Sequence, residues 1–217
     1  ARLLIAGNAC AQSTSDAPMK ELDAVISQMC SCLPVDIIPG PKDPTNSMLP
    51  QAPIHPCLLP SANSYKEALN CCPNPYSARI GGLKFLGTSG QPVEDMRKYT
   101  ATRTVVDKME TDNGTGMAED IFVPATHIEA LEACLRFRHL APTAPDSIVA
   151  YPFTEEDPFI IDEEDVPDFF FAGNCGAFDT KIAGDVRLIC IPNFEETGQV
   201  VKVDLDTKEV TVLKFEF

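Results

Sequence analysis

Two short apolar runs, "RLLIA" at residues 2–6 and "VDII" at 35–38, bracket the stretch "SDAPMKELDAVISQM", and that order leaves few folds open. A helical crossover returns the chain to the same end of a sheet, so the two runs are predicted to pair in parallel. Between them Leu22, Val25, Ile26 and Met29 fall on one helical face. Ser15 or Asp16 is placed to cap that helix, and Pro18 sits in its first turn. A parallel pair is buried on both faces, so a further layer has to cover each side.

The rest of the chain extends this pattern. "RIGGLKFL", residues 79–86, reads as a strand pair or a bulged strand around Gly81 and Gly82. Residues 104–120, "TVVDKMETDNGTGMAED", are acidic and nearly free of periodicity, which predicts a solvated surface insertion. A second helix is announced by "THIE", where Thr126 and Glu129 have capping-box spacing and Ile128, Leu131 and Leu135 form the buried stripe. "RFRH" places cations at its end, and Pro142 and Pro145 follow. The last third is strand-rich: "SIVAY", "DFFFAG", "RLICIP", "QVVKVDL" and "EVTVLKFEF", the final two forming a hairpin across "DTK". Strands with interleaved helices and a late hairpin predict one layered α/β domain with mixed sheets flanked by helices.

Composition removes several classes of function. With 17 Lys and Arg against 32 Asp and Glu, the formal charge of −15 opposes direct binding to DNA or RNA, which needs clustered cations. No apolar run approaches the roughly 18 to 20 residues of a membrane-spanning helix. "ARLLIAGNAC" lacks a basic n-region and reads as a core strand, so the chain reads as a piece that starts inside a domain. The nine cysteines show no C-x-x-C and no paired spacing of a zinc finger; they read as reduced, mostly buried thiols of an intracellular protein.

Three loops each follow an apolar run: "AGNACA" after "RLLI", "PGPKDPTN" after "VDII" and "AGNCGAF" after "DFFF". Ligand sites in open α/β sheets gather at such strand ends, so the three loops are expected to meet in one crevice. In this the chain resembles the calcineurin-like metallophosphoesterases. That family holds two divalent ions on strand-end loops of the types G-D-x-x-D, G-N-H-D/E and G-H-x-H, because the ions clamp a phosphoryl group and activate water. Matched to those motifs, Asn8 and Ala11 stand where two Asp belong, Pro41 and Lys42 replace Asn and His, and Asn174 and Gly176 replace two His. Asp43 alone keeps a ligand-capable side chain of the expected type. Lys42 has no lone pair to offer at neutral pH. The resemblance thus implies a calcineurin-like fold with a degenerate site: no catalytic residue, no metal and no cofactor.

Longer stretches narrow the resemblance. "VDIIPGPKDPTN", "LPQAPIHPCLLP", "LKFLGTSGQPVEDM", "LRFRHLAPTAPDSIVAYPF" and "FFFAGNCGAF" are similar to the second, non-catalytic (B-type) subunit family of eukaryotic replicative DNA polymerases, in its polymerase delta branch. That resemblance implies that residues 1–217 are the C-terminal part of an inactive phosphoesterase-like domain, with an oligonucleotide-binding fold and a first phosphoesterase strand outside the chain. It also implies a nuclear scaffold in DNA replication and repair synthesis. Its partners would be the cysteine-rich C-terminal module of the catalytic subunit and a third accessory subunit, with no direct nucleic acid and no membrane. The alternative is an active metal-dependent phosphodiesterase or nuclease.

An active enzyme would need more ligands than His55, His127 and His139 supply. His55, between Ile54 and Pro56, reads as a packed or hydrogen-bonded loop residue, His127 as a surface residue in a first helical turn, and His139 as a complement to the helix dipole or a structural hydrogen-bonder at a helix end. Cys175 stands where a nucleophile could, with no histidine in a comparable motif nearby. "GTSG", residues 87–90, lacks a P-loop lysine and reads as a tight turn. "LPQAPIHPCLLP" reads as an extended segment on a sheet edge. In "TEEDPFIIDEEDVPD" an apolar "PFII" interrupts an acidic surface, either buried or offered to a partner.

Overall fold

The structure is a computed structural model that describes residues 1–10, 15–106, 119–153 and 155–216, with backbone alone at 101–106 and 119–122. The opening unit is the expected one. Strand β1 (Leu3–Ala6), helix α1 (Ala17–Cys30) and strand β2 (Val35–Ile38) form a parallel crossover with Leu3 opposite Val35 and Ala6 opposite Ile38. Strand β3 (Leu69–Cys71) adds in parallel to β2. The helix presents a different face from the one read in the sequence. Met19, Leu22, Ile26 and Cys30 pack on the sheet, while Val25 and Met29 stand exposed. Buried Asp23 sets that rotation, because its two oxygens accept from the amides of Ser61 and Ala62 at 3.0 and 2.9 Å and cap the short turn Ala62–Ser64. Asp16 is the N-cap without a side-chain cap bond and instead pairs with Lys20.

A second sheet takes the order β4-β5-β8-β10-β9. Its members are β4 (Tyr76–Ile80), β5 (Leu83–Thr88), β8 (Phe169–Cys175), β9 (Asp179–Ala183) and β10 (Val186–Pro192). "RIGGLKFL" is the strand-pair alternative: Gly81 and Gly82, both at positive φ, turn β4 back onto β5. Between β5 and β8 lie helix α2 (Gln91–Tyr99), an antiparallel pair β6 (Ala101–Val106) and β7 (Glu119–Pro124), and helix α3 (His127–Phe137). The ends of the acidic 104–120 stretch are therefore strand, and residues 107–118 lie outside the described residues. α2 was not read from the sequence, although Pro92 near its start, Glu94 in its first turn and Arg97 and Lys98 in its last supplied the usual signals. The capping box of α3 is present as expected. "SIVAY" is not a strand of the sheet; it pairs with Leu49 through a single bridge at Ala150, packs Ile148 and Ala150 on the core and hydrogen-bonds Asp95 through Ser147. The closing hairpin forms from β11 (Gln199–Val203) and β12 (Val210–Lys214).

Alternation along the strands explains how the layers stack. In β1, Leu3 and Ile5 face α1, and Leu4 and Ala6 face the second sheet. In β8, Phe169 and Phe171 face the first sheet, and Phe170 and Ala172 face α2 and α3. The result is four layers: helix, parallel sheet, mixed sheet, helices. Phe169, Phe170 and Phe171 are almost wholly buried, and each contributes about 2–3 kcal/mol of burial. Phe85 stacks on Phe169 at 4.6 Å between the sheets. Among the described residues no helix is long and apolar enough to cross a membrane.

Candidate functional site

The loops that leave β1, β2, β5 and β8 meet at one end of the sandwich, main chain against main chain. Glycine permits this. A Cβ on Gly173 would lie 2.3 Å from the Ala6 carbonyl oxygen, one on Gly40 2.6 Å from the Asn8 amide, and one on Gly90 2.0 Å from the Gly173 carbonyl oxygen. Gly90 also takes φ +103, a conformation that other residues rarely adopt. The three loops expected to converge do so. The fourth, "GTSG", is not a bare tight turn; it carries buried Thr88 and Ser89 into the same crevice.

Asp43 closes the first two loops together. Its Oδ1 accepts from the Cys10 amide at 2.9 Å and its Oδ2 from the Gly40 amide at 2.7 Å. Burial raises its pKa, and the amides of Gly40, Cys10, Asn8 and Ala9 pull the other way without cancelling that rise. Gly7 and Asn8 both sit at positive φ, which turns successive amides towards one point and makes a nest for an anion. The carboxylate that could have bound a cation is thus spent on the chain's own backbone.

A knot of neutral side chains fills the remaining space. Asn74, fully buried, exchanges backbone hydrogen bonds with Gln51 at 2.7 and 3.1 Å. Its Nδ2 donates towards Gln51 Oε1 and Ser89 Oγ, each at 2.8 Å, and Gln91 Oε1 at 3.0 Å, while its Oδ1 accepts from the Ser89 amide. Ser89 Oγ also bonds Gln91, and Gln51 Nε2 reaches the carbonyls of Asn46 and Gly40. Asn174 Nδ2 donates to the carbonyls of Ala6 at 3.0 Å and Ser89 at 2.9 Å, the first of which joins the two sheets. Among the described residues no buried side-chain nitrogen or oxygen lacks a hydrogen-bond partner.

The residues matched to metal motifs sort into two groups. Asn8, Asp43 and Asn174 lie in the crevice; Asn8 Oδ1 accepts from the Lys42 amide at 3.0 Å. Pro41, Lys42 and Gly176 are exposed, and Lys42 takes part through its backbone amide. Ala11 lies outside the described residues. Sequence reading missed Gln51, Asn74, Ser89 and Gln91, because neutral amides scattered over forty residues carry no spacing signal. The "GTSG" turn held Ser89 and the "NP" of Asn74-Pro75 is a turn dipeptide, but neither signalled the shared knot.

These donors do not suit a metal pair. The Ala6 and Ser89 carbonyls can only accept, so Asn174 must present its NH2 there, the end without a lone pair. Among the described residues no three His, Cys, Asp or Glu side chains are grouped to hold a metal ion. His55 Nδ1 accepts from the Cys57 amide, and His139 is the structural hydrogen-bonder expected, taking the Ala141 amide and pairing with Asp157 at 3.0 Å. His127 is more than a surface residue. Its Nε2 lies 3.1 Å from Glu94 and 3.2 Å from Arg97, and burial, with Arg97 beside it, lowers its pKa. The Cys175 thiol is 1% exposed, and the neighbouring Cys190 thiol and burial push its pKa up, the reverse of what a nucleophile needs. Five of the nine cysteines are buried.

Four layers with a strand-end crevice closed by the chain's own amides define a layered α/β protein with mixed sheets. The chain belongs to the B-subunit family of DNA polymerases alpha and epsilon, whose model matches residues 2–180. It is 42% identical over 209 residues to the DNA polymerase delta small subunit of Arabidopsis thaliana, 94% of this chain and 42% of the relative. The Oryza sativa DNA polymerase delta small subunit is 39% identical over 94% of this chain and 43% of its own, and that of Saccharomyces cerevisiae 30% identical over 99% and 47%. The chain therefore spans less than half the length of these relatives. A solved chain from a study titled "Structural and Functional Characterization of a Novel Archaeal Phosphodiesterase" aligns over 98% of both chains with a TM-score of 0.44 and 11% identity.

Proposed function

We propose that this chain is the phosphoesterase-like part of a small subunit of DNA polymerase delta, and that it serves as a non-catalytic scaffold in the nucleus. Its partners on this reading are the cysteine-rich C-terminal module of the catalytic subunit and a third accessory subunit. The observation that carries the reading is the crevice. Asp43 is held by backbone amides, and Gln51, Asn74, Ser89, Gln91 and Asn174 satisfy one another where a phosphoesterase would present charged ligands. Asn8, Ala11, Pro41, Lys42, Asn174 and Gly176 are degenerate motif positions on the same reading. The charge of −15 suits a subunit that reaches DNA through its partner.

The test is a manganese titration by calorimetry on the full-length protein, followed in the same sample by hydrolysis of a generic phosphodiester. The expected outcome is no binding heat and no turnover, with retention of the catalytic subunit on an affinity column. Stoichiometric heat with turnover would instead establish the metal-dependent phosphodiesterase.

A further inference from the structure

At the end of the sandwich away from the crevice, a cleft of about 370 Å³ opens between the end of α3, the segment 161–168 and the turn from β9 to β10. Its floor is apolar: Leu135, Ile161, Pro167 and Val186 line it, and Val166 stands on its wall 44% exposed. Val166 thus leaves apolar surface of the lining in water, a surface suited to a partner. Of "PFII", Phe159 and Ile161 are buried, as the first alternative for that stretch has it, and Ile160 is exposed.

The charges at the cleft are unbalanced in one direction. The cations that reach it are taken: Arg138 pairs with Glu163 at 2.7 Å, and Lys208 pairs with Asp168 at 2.8 Å. Just beyond, Arg79 and Lys84 share Asp165. Asp162 and Asp185 both line the cleft without a salt bridge among the described residues, and Asp162 Oδ1 accepts from the amide of exposed Glu164 at 2.9 Å. An apolar floor under an acidic rim selects for a ligand that is apolar in the middle and cationic at its ends.

We infer that this cleft is a docking site for a short protein segment with one or two apolar anchors flanked by Lys or Arg, contributed by another subunit of the assembly. The inference rests on the proposed scaffold role, since it needs an assembly to supply the segment. The anchor would fill the Leu135–Ile161–Val186 floor, and the flanking cations would pair with Asp162 and Asp185. Net affinity comes from the buried anchor, while the rim acids set partner choice and salt dependence.

The experiment places a photo-crosslinking benzophenone side chain at Val166 of the full-length protein inside the assembled polymerase. The expected result is a crosslink to a segment of another subunit that carries an apolar residue within a few positions of Lys or Arg. Asp162→Lys with Asp185→Lys should cut that crosslink at least tenfold while leaving the melting temperature in place. Asp185→Lys alone, at a side chain with no salt bridge among the described residues, should cut it severalfold and controls for folding. A crosslink to this protein's own remaining chain, to a second copy or to a segment without cations overturns the docking site, as does no crosslink at all. Those results leave the scaffold reading standing if the protein still enters the complex. A protein that fails to enter it overturns both.

Discussion

Two buried polar regions lie a few residues apart in this fold and are built on opposite principles. The crevice is held by neutral amides and by one carboxylate whose bonds go to backbone. The seam beneath it is held by charge: Asp36, 2% exposed, takes Arg2 at 2.6 Å, Asn70 at 2.8 Å and the Tyr76 hydroxyl at 2.6 Å. Tyr76 lies on β4, so this cluster ties the two sheets much as Asn174 does above it. The difference teaches how buried polar groups at a strand end can be satisfied by the chain's own atoms. Charges converge safely where a cation of the chain's own meets them, as Arg2 does; at the crevice no such cation enters among the described residues, and amides are the less costly filling.

The sharpest way to break the comparison is at the glycines. Gly173→Ala drives a methyl group into the Ala6 carbonyl and should cost about 3 kcal/mol or more, read as a loss of soluble protein or a steep fall in denaturation midpoint. Asn74→Ala strands Gln51, Ser89 and Gln91 at once and should cost nearly as much, about 3 kcal/mol by urea unfolding. Its cost should be the same at pH 7 and pH 10, because no member of the knot titrates.

Tyr76→Phe tests the seam and should cost about 2 kcal/mol at neutral pH, the worth of a hydrogen bond to a charged acceptor. Here pH matters. Burial, then the bond to Asp36, raises the Tyr76 pKa above its ordinary 10.0. The folded state therefore holds a proton that the unfolded chain releases, and wild-type stability falls as pH rises past that ordinary value. The gap to Tyr76→Phe should narrow above about pH 10; a gap that stays constant would show that the hydroxyl is not held as described. Smallest of all, Lys42→His with Pro41→Asn should shift stability by no more than about 0.5 kcal/mol, since both side chains are exposed. A larger loss would mean that Lys42 supports the crevice through more than its backbone.

Much of the sandwich was legible because it follows periodicity. The β1–α1–β2 crossover, the capping box at Thr126 and Glu129, the "FFFAG" and "RLICIP" strands and the final hairpin all announce themselves in spacing. What escaped was set by tertiary contact. α1 turned away from Val25 and Met29 because Asp23 caps a turn almost forty residues on. β9 was missed because its residues alternate weakly at a sheet edge, exposed on both sides. At the crevice, the sequence showed which loops meet and that Asn8, Asp43 and Asn174 sit in them. The knot that fills it could not be read, since Gln51, Asn74, Ser89 and Gln91 come from separate segments and are joined by geometry alone.

The backbone contact of Gly173 with Ala6, which joins the two sheets, has a mechanical consequence. Side chains can yield by changing rotamer, but peptide groups in direct contact have no such slack, and a close-packed interior compresses very little. A push on the first sheet at this end must therefore move the second with it, with almost no lost travel between them. The two sheets behave as one stiff beam, and a beam carries the position of whatever is fixed at one end to the other.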